Sequence, residues 1–237
     1  MEMNGLLFIK RNDTMKASII LVTWAETEER MNLLKQTLDS LKKSTDYPYE
    51  LIVIDNGPEE QTVFLKTQDI DKHIINKTNK GIGFGRNQGL DVAIGNYIVY
   101  IDNDLIFSKD WLKEGIELLE KYPDKKFIVS TLFSQHQVKG NIGQTKKYFV
   151  GVIDGYLLWS RGSPGGTIYR REDINILGKW ANHTKPGVAY CDNISKKGYI
   201  FISLLFPKVM HRGIISSYNY KQLMKDGKWL RSWNLEI

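Results

Sequence analysis

The sequence predicts an α/β fold with a mostly parallel central sheet flanked by helices, and three observations carry that prediction. Three runs, SIILVTW from Ser18, LIVID from Leu51 and YIVYI from Tyr97, place apolar residues at successive positions, as strands covered on both faces do. Between the first two, Met31, Leu34, Leu38 and Leu41 recur at helical spacing, with Lys, Gln and Asp on the opposite face. A strand, an amphipathic helix and a second buried strand make a β-α-β unit, whose natural continuation is a parallel sheet with right-handed crossovers.

Taken in order, residues 1–15 hold a short apolar run, GLLFI, and then KRNDT, an extension or an additional edge strand. Core structure is expected from Ala17. Residues 25–29 supply the small and acidic residues of a loop and helix start, and Tyr47-Pro48 ends the helix over 29–43. A short helix is expected over 61–69, a short strand over 73–75, and a helix in the second half of the glycine-rich stretch 79–95. Ser108 is the expected N-cap of the next helix, with Trp111, Leu112, Gly115, Ile116 and Leu119 on its buried side. Further strands are expected over 127–132, 148–159, 167–170 and 199–206, with short helices over 171–177 and 192–197. The expected division is an extension or edge strand over 1–15, a main domain over 16–216 and a basic aromatic tail over 217–237. Within the domain, 16–107 reads as a mononucleotide-binding half and 108–216 as a less regular second half.

The 237 residues, 42% hydrophobic and 25% charged, describe a globular chain able to bury a sizeable core. The net charge of +6 suits anionic partners. No Cys/His finger, RNP-like aromatic strand or long basic block accompanies it, so nucleic acid is not an expected partner. The single cysteine, Cys191, excludes an internal disulfide framework and fits a reducing compartment. No apolar run approaches the roughly 20 residues that span a bilayer. A cytoplasmic protein is expected, peripheral at the inner face of a membrane if the tail with Tyr218, Tyr220, Trp229 and Trp233 meets lipid or a second copy.

The chemistry gathers where the strands end. The third run closes on Asp102-Asn103-Asp104, two carboxylates at the C-terminal end of a buried strand, where open α/β sheets place ligands. Hard oxygen donors suit Mg²⁺ or Mn²⁺, while Asx residues equally favour a plain turn. Asp55, at the end of the second run, accepts from a base or ribose, or caps a turn. Arg86 engages a diphosphate bidentately, or forms an ordinary salt bridge. The glycines of NKGIGFGRNQG permit close backbone approach or relieve a crowded turn. Neither a G-x-G-x-x-G fingerprint in register nor a G-x-x-x-x-G-K-[ST] loop is present, which argues against dinucleotide and P-loop readings.

In the order and spacing of SIILVTW, LIVIDNG, NKGIGFGRNQGL and GNYIVYIDNDLIF, the chain resembles glycosyltransferase family 2 with the GT-A fold. That resemblance implies a nucleoside-diphosphate sugar as donor and a divalent metal as cofactor. It makes Asp55 the base-contacting carboxylate, sets Thr23 and Glu26 around the base and ribose, and has Arg86 and Asn87 hold the nucleotide. Asp102-Asn103-Asp104 looks like the family's D-x-D, with Asp104 the metal ligand and Asp102 on sugar, ribose or metal-bound water. His211, in KVMHRG, matches a late metal-completing histidine, or is a surface histidine beside Arg212. His73, His136 and His183 have no such context. Asp192, in GVAYCD, stands where inverting members carry an acidic cluster. It is either the general base or the N-cap of the following helix.

The resemblance implies inverting transfer from a donor, uridine-linked first among the bases, to a hydroxyl of a glycan, glycolipid or growing polysaccharide. Trp159, Trp180 and Tyr190 either stack on an acceptor sugar or pack in the core, and 161–166, RGSPGG, is a candidate closing loop. Two alternatives stand beside this. One is a catalytically idle nucleotide-sugar-binding domain, kept open by the missing first acid before Asp192. The other is a sugar-nucleotide nucleotidyltransferase, disfavoured because TWAETEER replaces a glycine-rich basic loop after the first strand.

Overall fold

A computed structural model describes residues 17–131, 148–163, 165–181, 186–203 and 209–212. The extension over 1–15, the tail over 217–237, His136 and His183 lie outside the described residues. The strands are β1 (Ala17–Thr23), β2 (Tyr49–Asp55), β3 (Lys72–Ile75), β4 (Tyr97–Ile101), β5 (Leu105–Phe107), β6 (Phe127–Ser130), β7 (Phe149–Ile153), β8 (Tyr156–Trp159), β9 (Thr167–Arg170), β10 (Ile200–Ser203) and β11 (Val209–His211). The helices are α1 (Glu28–Ser44), α2 (Glu59–Leu65), α3 (Ile82–Val92), α4 (Trp111–Lys121), α5 (Arg171–Leu177) and α6 (Pro186–Lys196).

Among the described residues, nine strands form one sheet in the order β3-β2-β1-β4-β9-β6-β10-β8-β7, and β5 pairs with β11 in a second, two-stranded sheet. The run from β3 to β4 is parallel throughout. Beyond it β9 enters antiparallel between β4 and β6, and the β7–β8 hairpin closes the far edge. The expected parallel character thus holds for the first half, and the second half is mixed.

Successive side chains of a strand point to opposite faces, and β1 uses both. Ile19 and Leu21 join α1, α2 and α4 through Leu34, Leu38, Leu65, Trp111 and Ile116. Ile20 and Val22 face the other layer, where Ile174, Leu177, Tyr190 and Ile194 of α5 and α6 pack with Tyr100 and Tyr169. α1 begins where expected: Thr27 Oγ1 accepts from Arg30 N at 3.3 Å, with Glu28 and Glu29 in the first turn and Lys42 and Lys43 in the last. Ser108 is not the cap of α4. Asp110, in a left-handed conformation at φ 62°, takes that position, and Ser108 instead accepts from Trp111 N through its carbonyl at 3.4 Å.

At the N-terminal end of the sheet, Glu50 ties three strands together. It is 1% exposed, and it accepts from Ser18 Oγ at 2.5 Å and Ile94 N at 2.7 Å while pairing with Lys72 Nζ at 2.7 Å. Removing one partner of a buried pair strands the others without hydration. Glu50→Ala is therefore expected to cost about 3 kcal/mol, read as a lower urea midpoint at unchanged slope. A midpoint equal to wild type would refute the structural importance of the network.

Candidate active site

Three strand ends meet at one edge of the sheet. Register sets Thr23 of β1 beside Asp55 of β2 and Leu21 beside Ile101 of β4, so the residues that follow β4 rise next to Thr23. Asn103 Nδ2 donates to Thr23 Oγ1 at 3.1 Å across that gap. α1 holds the strand that follows: Thr37 Oγ1 accepts from Leu105 N at 3.0 Å, Ser40 Oγ accepts from Phe107 N at 3.3 Å, and Ser44 Oγ donates to Phe107 O at 2.9 Å. These bonds fix the D-x-D turn from behind.

The second sheet completes the cluster. Pairing of β11 with β5 sets His211 opposite Leu105, and Arg212 N donates to Asp104 O at 2.7 Å. His211 Nε2 then lies 3.4 Å from Asp104 Oδ1, and one ligand atom from each of Asp102, Asp104 and His211 falls within 4.8 Å of the other two. Burial holds the Asp104 carboxyl above its ordinary range, with His211 pulling it down and Asp102 pushing it up. Asp104 Oδ1 is buried and accepts no hydrogen bond. A buried carboxylate oxygen without a donor is costly unless a cation meets it. Two carboxylates and an imidazole, half-buried and convergent, fit Mn²⁺ in donor type and Mg²⁺ less well.

Asp102 is gripped from two sides. Arg86 Nη2 donates to its Oδ1 at 2.8 Å, and a side chain on Gly165 would place Cβ 2.0 Å from its Oδ2, so any larger residue there would have to displace the carboxylate. Gly85 and Gly89 explain how Arg86 arrives. A Cβ on them would lie 2.7 Å from Val22 Cγ1 and 2.4 Å from Ile20 Cγ2, so their bare backbone lets α3 press onto β1. Gly85 and Gly89 are thus used for close packing of helix on strand, while Gly81, at φ 80°, serves the turn before α3.

The other expected nucleotide residues behave differently. Asp55 is 0% exposed and accepts from Gln61 Nε2, from Thr62 Oγ1 at 2.6 Å and from Gly57 N at 3.0 Å, with His73 Nε2 at 3.2 Å. Gln61 Oε1 in turn accepts from Ala25 N at 2.6 Å, so Asp55 braces the loop after β1. Asn87 is turned to protein, donating to Trp180 O at 2.9 Å and accepting from Trp180 N at 2.8 Å. Glu26 is exposed beside Arg30 at 3.6 Å. Trp159, Trp180 and Tyr190 are buried in the second core layer, which is the packing alternative for all three.

Asp192 is not an N-cap. It lies in the second half of α6, whose first residue, Pro186, suits a helix start. Its carboxylate is 54% exposed and pairs with Arg161 Nη2 at 3.2 Å. Arg161 opens the 161–166 loop that also carries Gly165, so one short loop touches both Asp192 and Asp102. Sequence reasoning singled out that loop but not these two residues, and nothing local marked Gln61 as the partner of Asp55. Cys191 is buried, its thiol pushed up to about 11 by that burial, which removes it as a nucleophile.

The family model of glycosyl transferase family 2 matches residues 18–178, more than half of the chain. The chain belongs to glycosyl transferase family 2. This family 2 chain is 29% identical over 124 residues to a glucosyl-dolichyl phosphate glucuronosyltransferase of Haloferax volcanii, covering 50% of the chain and 38% of that protein. It is 33% identical over 123 residues to the uncharacterized glycosyltransferase YfnE of Bacillus subtilis, covering 50% of the chain and 30% of that protein. It therefore spans well under half the length of these relatives. Among solved structures, GalNAc-T7 with UDP, GalNAc and Mn²⁺ superposes with a TM-score of 0.63 at 14% identity, over 84% of this chain and 44% of that one. S. aureus TarS 1-349 does so with a TM-score of 0.58 at 18% identity, over 94% and 67%. The fold is the GT-A type, an α/β sheet flanked by helices.

Proposed function

We propose that the chain transfers a sugar, with inversion, from a nucleoside-diphosphate donor to an acceptor hydroxyl. The observation that carries this reading is the convergence of Asp102 and Asp104 with His211, which comes far later in the sequence, on one point at the strand ends. Asp104 and His211 would hold a divalent ion, with Asp102 beside them. Bound there, the ion supplies positive charge to the diphosphate as the glycosidic bond breaks.

The protein's own residues do the rest. Thr23, Asn103 and the Asp55–Gln61 brace shape the wall for base and ribose. Asp55, saturated by internal donors, serves that wall as a support. Asp192 accepts the proton of the acceptor hydroxyl, which grows acidic as it bonds to the anomeric carbon. Uridine is the preferred base, in keeping with the UDP in the GalNAc-T7 structure, and Mn²⁺ the preferred ion. The name of the Haloferax volcanii relative supports a lipid-linked acceptor, and hence work at the inner face of a membrane. Among the described residues no helix is long and apolar enough to cross one. The nucleotide-binding half is 16–107, and the acceptor is handled by 108–216.

A thermal-shift screen of uridine, thymidine and guanosine diphosphates with Mn²⁺ tests the reading. A nucleotide at a hundredfold over its Kd should raise Tm by on the order of 5–10 °C, and only with metal present. Absence of a metal-dependent shift for all three would sink it. Product analysis with candidate sugar acceptors then separates a transferase from an idle binding domain.

A further inference from the structure

We propose that Arg86 is a positioning residue that fixes Asp102 from inside the protein and does not bind the donor diphosphate, an inference that rests on the transferase reading above. The guanidinium is 1% exposed, which leaves it no open face for a diphosphate. Its carbon lies 4.3 Å from the Trp180 ring centroid and 5.3 Å from that of Tyr100, a buried cation held against two aromatic rings. Nη2 makes the ion pair with Asp102, and Nε has no hydrogen-bond partner.

Each wall of this enclosure is itself held. Tyr100 lies two residues before Asp102 on the central strand. Trp180 is clamped through its backbone by Asn87, the neighbour of Arg86 on α3, and Tyr190 of α6 stacks on its ring at 3.9 Å and 15°. Arg86 and Asn87 thus use adjacent positions of one helix to hold Asp102 and the turn after α5. Two residues beyond Tyr190 comes Asp192, so the same stack joins the donor-side carboxylate to the helix that carries the candidate base. A carboxylate pinned by a buried guanidinium presents its remaining oxygen in one orientation. Partners of this kind commonly set metal affinity by about 10–100-fold.

The test is a double-substitution cycle on the full chain, R86M and D102N, alone and together. Mn²⁺ affinity is read from the free-ion paramagnetic resonance signal, and stability from Tm. R86M should weaken Mn²⁺ binding by about tenfold, and the double variant should bind no more weakly than D102N alone. R86K keeps the charge but lacks the planar fork, so it should recover only part of the loss. Additive losses would mean that Arg86 and Asp102 act independently, and a raised donor KM at unchanged Mn²⁺ affinity in R86M would mean direct phosphate contact; either result overturns the proposal. D102N alone serves should R86M not fold. It leaves Arg86 buried without its partner and should lower Tm, whereas an unchanged Tm overturns the pairing. Wild-type protein that binds neither Mn²⁺ nor any nucleotide overturns the transferase reading, and the D102N stability result still decides the Arg86–Asp102 pair.

Discussion

Asp104→Ala is expected to abolish metal-dependent donor turnover, by about 10³-fold in rate, while leaving the fold intact. The size follows from where the carboxylate stands. Burial raises it, and it faces both Asp102 and His211. It is also the one whose oxygen lacks a hydrogen-bond donor. Charge stabilisation of a leaving diphosphate is strongest in such a low-dielectric site, and its loss is not made good by solvent. The measurement is initial rate against Mn²⁺ concentration, with Tm as the control for folding. A rate that matches wild type at saturating Mn²⁺ would remove Asp104 from the site.

Asp192→Asn is expected to lower transfer by about 10²–10⁴-fold and to leave donor binding unchanged. Amide and carboxylate have the same shape, so the loss falls on proton acceptance alone. The ion pair with Arg161 does not prevent this role. With Asp192 more than half exposed, such a pair is worth about 0–1 kcal/mol, so an acceptor hydroxyl can displace it at little cost. Donor affinity from thermal shift and rate from product formation must therefore separate. Equal loss of both would show that Asp192 supports the donor site, and an unchanged rate would remove it as the base.

The first half of the sheet was legible in the sequence because β1, β2 and β4 are buried on both faces, and unbroken apolar runs record that directly. The D-x-D stood out for the same reason, since it interrupts such a run. The second half was less legible. β9 is four residues long, and its place between β4 and β6 depends on partners far along the chain. The burial of Arg86 could not be read locally either, because the rings that enclose it belong to Tyr100 and Trp180. His211 was found by its context, yet its meeting with Asp104 depends on a strand pair that no short window of sequence contains.

That strand pair joins two segments that are made far apart in time during synthesis. The chain leaves the ribosome from its N-terminus, and domains fold in that direction. β1, β2 and β4 can assemble with the two acids of the D-x-D long before Val209–His211 exists to pair with Leu105–Phe107. A nascent chain would therefore carry an acidic turn with no imidazole beside it. Any metal affinity that needs all three residues would arrive only as Val209–His211 docks.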